Sequence, residues 1–194
     1  GDQMDALWGE FVPVPSENIH ALGGGEVLHL PGRNVLVEAT PGHAWHHVAY
    51  LDEVTGTAFV GDVAGERYPG CRFVIPVTPP PDIDLESWRR SWAALRAWSP
   101  SAIFLTHFGP FEDVDAHLDQ LERRTDAWAE QVRLSLERDE PDEARAKAFY
   151  DWVDQELHAE LPEALARRYA RAAGVLDSWH GLARYWRKKE QGKG

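Results

Sequence analysis

Between residues 26 and 62 the apolar positions fall into short runs broken by glycine and proline, a spacing that predicts strands and tight turns. Glu26–Leu30 and Asn34–Glu38 read as a hairpin around Pro31-Gly32, preceded by a turn at Gly23-Gly24-Gly25. Val48–Leu51 and Ala58–Val60 flank a turn at Val54-Thr55-Gly56. Residues 64–75 read as a loop, with Cys71 or Phe73 entering a short strand. Upstream, residues 3–11 read as the end of a helix, and Val12-Pro13-Val14-Pro15 as an extended linker, because proline pushes its predecessor out of the helical region.

The period then changes. Val77-Thr78-Pro79-Pro80-Pro81-Asp82 predicts a rigid extended segment, and Asp84 is a good N-cap for a helix over 84–98. Leu85, Trp88, Trp92 and Leu95 recur at steps of three and four and give that helix one apolar face. Ser99-Pro100 ends it, and Ala102–Leu105 follows as a short buried strand. After Pro110 the chain reads as helical to its end. Val114, Leu118, Leu121, Thr125, Trp128 and Val132 mark one long stripe; Phe149, Trp152, Val153 and Leu157 mark a second. Leu165, Tyr169 and Ala172 mark a third, stopped by Gly174 in a C-cap role. Leu176, Trp179, Leu182 and Trp186 mark the last, before the basic run Arg187-Lys188-Lys189, read as a solvated tail.

Composition narrows the classes. A chain of 194 residues with 43% apolar content is long enough for a sizeable core. Its net charge of −12 argues against a nucleic-acid partner, which must be met with basic side chains. One cysteine, Cys71, forms no internal disulfide and suits a reducing cytoplasm. No apolar run reaches membrane-spanning length, so no membrane partner is expected.

Three strands end in chemistry. Thr40-Pro41-Gly42-His43 follows the second strand, Gly61-Asp62 the fourth, and Thr106-His107-Phe108-Gly109-Pro110 the fifth. A strand fixes the root of its loop while the loop presents the side chain. Taken singly, His43 is a loop histidine, Asp62 a turn former and His107 a helix-start neighbour. Together they form a metal-site pattern.

T-P-G-H, then F-V-G-D, then an apolar strand ending in T-H-F-G resembles the metallo-β-lactamase superfamily, over roughly residues 20–110. The flank Met4-Asp5-Ala6-Leu7-Trp8-Gly9-Glu10 and the helical tail look like a bacterial branch with a C-terminal helical extension. The resemblance implies an α/β (α+β) fold, part of a four-layer αββα sandwich. Residues 1–110 would form the C-terminal portion of that fold, and 111–194 its helical completion and extension. It implies His43 as the third histidine of a first metal site, His107 as the histidine of a second, and Asp62 as the shared anionic bridge and the catalytic residue. The implied cofactor is two zinc ions, with iron or manganese as alternatives. The family's H-x-H-x-D-H motif occurs nowhere in the chain, which opens Gly-Asp-Gln. The expectation is therefore the C-terminal part of a longer protein, inactive by itself, that awaits the N-terminal half of the fold. A bare sheet face would drive it into a homo-oligomer or poor solubility.

The implied function is hydrolysis of an ester, thioester, lactone or amide in a small-molecule substrate. Trp45, Phe73 and the aromatic helices suggest an apolar pocket. His46 and His47 are read as supporting or packing groups, and His20, His29, His117, His158 and His180 as surface or helix-face residues. Asp113 is read as a helix cap, and Thr40 and Thr106 as satisfying loop backbone groups. The alternatives are a non-catalytic remnant or partner-binding module, and a di-iron redox protein on the same fold.

Overall fold

The structure is a computed structural model that describes residues 12–172 and 174–192. The expected helix end over residues 3–11, with the Met4–Glu10 flank, lies outside these. Strands β1 (Val27–Leu30), β2 (Arg33–Ala39), β3 (Val48–Asp52) and β4 (Thr57–Gly61) lead into a 3-10 turn at Asp62–Ala64. Helix α1 (Leu85–Ala97), strands β5 (Ala102–Leu105) and β6 (Gly109–Phe111), and helices α2 (Val114–Leu136), α3 (Asp142–Glu160), α4 (Glu163–Ala172) and α5 (Val175–Glu190) complete the chain.

The strands make one six-stranded sheet in chain order. All neighbours are antiparallel except β4 and β5, which run parallel. A parallel pair needs a long crossover, and residues 62–101 supply it with α1 inside. Register then assigns the two faces. Leu36, Leu51, Ala58, Ile103 and Phe111 stand opposite one another across β2 to β6 and face a core shared with α1, α2, α3, α4 and α5. Val37, Tyr50, Phe59, Phe104 and Pro110 form the row on the other face. Phe59 and Phe104 there keep 45% and 40% of their surface exposed, with ring centroids 5.6 Å apart.

Helix α1 starts where its cap predicts: the Asp84 side chain accepts from the Ser87 amide at 2.6 Å. Its stripe of Leu85, Trp88, Trp92 and Leu95 is buried. On α2 the predicted stripe is likewise buried from Val114 to Val132.

Several readings need correction. The chain does not turn helical at Pro110, because Gly109–Phe111 adds β6 at the sheet edge, where a proline costs no ladder hydrogen bond. Neither Cys71 nor Phe73 enters a strand; the segment's only ladder contact among the described residues is the bridge between Glu66 and Ile75. Asp113 precedes α2 but makes no side-chain cap; its carboxylate takes a two-point ion pair from Arg67 at 2.7 and 3.0 Å. On α5, Leu176 is exposed and Val175 takes the buried position. Gly174, left-handed at φ 51°, sits between α4 and α5 as the N-cap of α5. The basic run is not free in solvent: Arg187 pairs with Asp142 at 2.7 Å, and Lys189 pairs with Glu86. Burial raises the Glu86 carboxyl, but the Lys189 ammonium and the Tyr185 hydroxyl outweigh it and bring the pKa down to about 2. No helix among the described residues is long and apolar enough to cross a membrane.

Candidate metal centre

The loop after β2 can reach the core only because residue 42 is glycine. Gly42 has φ 139°, and a Cβ there would lie 2.4 Å from the Trp88 Cα. Its carbonyl accepts from the Asp84 amide at 2.9 Å, which ties the loop to the start of α1. His43 follows, half-buried. Its Nδ1 lies 2.8 Å from the Val77 carbonyl. A carbonyl only accepts, so Nδ1 carries the proton and Nε2 presents a lone pair.

Nε2 of His43 faces Asp62 Oδ2 at 3.7 Å. From the loop after β5, His107 Nε2 approaches the other oxygen, Oδ1, at 3.3 Å. The structure thus brings both histidines to one carboxylate. Yet Oδ1 is fully buried and has no hydrogen-bond partner among the described residues. A carboxylate with one imidazole nitrogen at each oxygen, one of those oxygens buried and unbonded, has the donor chemistry of a cation's ligands. By themselves these groups are too few: among the described residues no set of three or more His, Cys, Asp or Glu side chains is arranged to hold an ion.

The turn carrying Asp62 is held from the core. The Val63 carbonyl accepts from the indole N–H of Trp88 at 2.6 Å and of Trp92 at 2.8 Å. The Ala64 carbonyl accepts from His117 Nε2 at 2.8 Å. His117 is therefore not a surface residue; it is 1% exposed on the inner face of α2. Burial, with the Arg67 guanidinium beside it, lowers its pKa to about 4.

His47 belongs to the same neighbourhood. Its Nδ1 and the Thr40 hydroxyl are 2.7 Å apart, so Thr40 serves a side chain rather than the loop backbone. A Cβ on Gly61 would come within 2.3 Å of His47 Nε2, so the imidazole rests against the bare backbone beside Asp62. Burial and the nearby His43 lower its pKa to about 4. His46 packs instead on Trp45, and His20, His29, His158 and His180 are exposed. Thr106 is exposed as well.

Sequence reasoning missed Glu66, which is 2% exposed and one turn beyond Asp62. An acid inside the apolar stretch V-A-G-E-R-Y was the available signal. Phe73 is not a pocket residue: it is 3% exposed and packs under the Arg124 guanidinium, 3.6 Å from the ring centroid. Trp45, 76% exposed, does border an open cleft of about 570 Å³ with Asp82, Ile83, Arg90, Tyr185 and Lys188. Asp84, whose amide is bonded to Gly42, lines the same cleft.

No family model matches the chain. It is 34% identical over 123 residues to the metallo-beta-lactamase fold-containing protein ST1585 of Sulfurisphaera tokodaii, covering 62% of this chain and 45% of that protein. The crystal structure of ST1585 from Sulfolobus tokodaii, an archaeal metallo-beta-lactamase superfamily protein, superposes with a TM-score of 0.53 at 28% identity, covering 63% of this chain and 46% of that one. The metallo-beta-lactamase family protein TTHA1429 of Thermus thermophilus gives 0.59 at 22% identity, covering 88% of this chain and 49% of its own, and shows the fold alone. The chain spans about half the length of the relatives it matches. In sequence and in fold, then, the chain is similar to proteins of the metallo-β-lactamase superfamily.

Proposed function

We propose that the chain is part of a metal-dependent hydrolase, with His43, Asp62 and His107 as metal ligands. The observation that carries this reading is the Asp62 carboxylate, with one imidazole nitrogen at each oxygen and Oδ1 buried and unbonded. Zinc is the ion the donor set fits best, since imidazole and carboxylate are its usual ligands, and iron or manganese are the alternatives. Such an ion supplies Lewis-acid polarisation and a nucleophile available at neutral pH. The chain's own residues do the rest. Val77 fixes the His43 tautomer, Trp88, Trp92 and His117 fix the Asp62 turn, and His47 closes the inner wall. Asp62 bears the charge that would offset the ion.

The substrate class is a small molecule with an ester, thioester, lactone or amide bond. The Trp45 cleft, joined to the His43 loop through Gly42 and Asp84, suits its apolar part. Three donors do not complete a two-ion site, so turnover is expected only where a complementary half adds further ligands. The test on this chain is zinc binding by competition with a chromophoric chelator. Asp62→Asn should weaken binding at least tenfold with the circular dichroism unchanged. Equal zinc affinity in wild type and Asp62→Asn overturns the reading.

A further inference from the structure

The cleft bordered by Trp45 holds charges that the fold leaves uncommitted. Its volume of about 570 Å³ lies between the loop after β2, which carries Trp45, and residues of α1 and α5. Glu86 and Arg90 stand one turn apart on α1, and Tyr185, Lys188 and Lys189 lie within one turn on α5. The two helices are locked together at this point. The Tyr185 hydroxyl lies 2.8 Å from each oxygen of the Glu86 carboxylate, and Lys189 donates to one of those oxygens. The cleft is therefore preformed, with the buried Ile83 and Tyr185 in its lining.

Its charges divide into spent and unspent. Asp84 accepts from the Ser87 amide as the cap of α1, and Glu86 is taken by Lys189 and Tyr185. Among the described residues, Arg90 has a hydrogen bond to the Ser87 hydroxyl at 2.7 Å but no carboxylate partner, and Lys188 has no ion pair. Asp82 is likewise unpaired, so two free cations meet one free carboxylate, and the cleft keeps a positive surplus in a chain of net charge −12. Trp45 is 76% exposed, and its one aromatic neighbour among the described residues is His46, with ring centroids 5.5 Å apart. A bare indole is a large apolar face that a flat ring covers favourably. A guanidinium and an ammonium beside it favour an oxyanion, the first through paired N–H donors.

We propose that this cleft binds a small amphipathic monoanion, with a flat apolar body on Trp45 and a carboxylate met by Arg90 and Lys188. The assignment needs no metal and is tested without one, so its failure is distinguishable from failure of the hydrolase reading. Where that reading also holds, the inference rests on it for one further step: the substrate carries an anionic group besides the bond that is cleaved.

The probes are β-naphthoate and β-naphthamide, which share a ring system and differ in charge. Their binding to the chelator-treated 194-residue chain is read by titration calorimetry. Wild type should bind β-naphthoate about fivefold more tightly than β-naphthamide. The double variant Arg90→Gln, Lys188→Gln should lose that preference with its β-naphthamide affinity unchanged. Trp45→Ala should weaken both probes about tenfold, since the ring they share loses its platform. Arg138→Gln, which removes an exposed cation outside the cleft, should alter neither affinity. All four positions are exposed, so thermal midpoints should match wild type. Equal affinity of wild type for the two probes, a preference that survives the double variant, or undiminished binding by Trp45→Ala overturns the proposal. So does an absence of binding at millimolar probe. A loss of preference in Arg138→Gln equal to that of the double variant assigns it to net charge and overturns the proposal as well.

Discussion

Trp88 donates its indole N–H to the carbonyl of Val63 at 2.6 Å, from a side chain that is fully buried. That bond couples the core helix α1 to the residue next to Asp62. Trp92 donates to the same oxygen, so either bond can be lost singly at modest cost. Trp88→Phe should cost about 1 kcal/mol, while the double Trp88→Phe, Trp92→Phe variant, which strands a buried carbonyl, should cost about 2–4 kcal/mol. Urea unfolding measures both. The double variant should also lose zinc affinity, since the Asp62 turn loses its anchor; strictly additive costs and unchanged affinity would refute the coupling.

Acid should destabilise the fold through His117. Unfolded, a histidine takes up its proton near 6.5, whereas the buried His117 stays neutral down to about 4. The unfolded chain therefore binds more protons between those values. Stability is fully present above about pH 6.5 and falls as the pH drops towards 4, by on the order of 3 kcal/mol from this residue. His47 adds to the fall in the same window. His117→Gln keeps a donor for the Ala64 carbonyl but does not titrate. Its stability, followed by urea midpoints at stepped pH, should fall less steeply than that of wild type.

Gly42→Ala should be disproportionately harmful. Its φ of 139° disfavours any side chain, and the new Cβ would press on the backbone of α1. Strain and displacement together should cost roughly 2–4 kcal/mol and move His43 off Asp62. A midpoint within error of wild type would show that the loop can reposition at no cost.

Phe59 and Phe104 make the outer sheet face adhesive. Both lie at the centre of an apolar row and stay substantially exposed among the described residues. The isolated chain should self-associate at tens of micromolar, and Phe59→Thr with Phe104→Thr should shift sedimentation to the monomer. An already monomeric wild type would remove the expectation of an absent covering element.

The strand ends bearing His43, Asp62 and His107 were legible because short apolar runs fix where a strand stops, and proline or glycine marks the first two stops, at Pro41-Gly42 and Gly61. The helical stripes were legible for the same reason. What stayed hidden depends on contacts distant in sequence. Glu66 is buried only because residues 66–75 fold back and Tyr169 lies across them, its hydroxyl bonded to the Tyr68 amide and the Phe73 carbonyl. Strand β6 is three residues long and contains a proline, so it carries no periodic signal. His117 was the avoidable miss: it lies three residues after Val114 and one before Leu118, on the stripe itself.

The carbonyls of Val63 and Ala64 are held by side chains 25, 29 and 53 residues downstream. No local fluctuation can free the Asp62 turn while α1 and α2 stay docked. The amide of Gly65, bonded to the Asp62 carbonyl, and that of Glu66, bonded to Ile75, should therefore exchange with deuterium as slowly as the interior of α1. Although it lies in a connecting segment between strand and helix, this stretch should open only together with α1 and α2, as part of their cooperative unit.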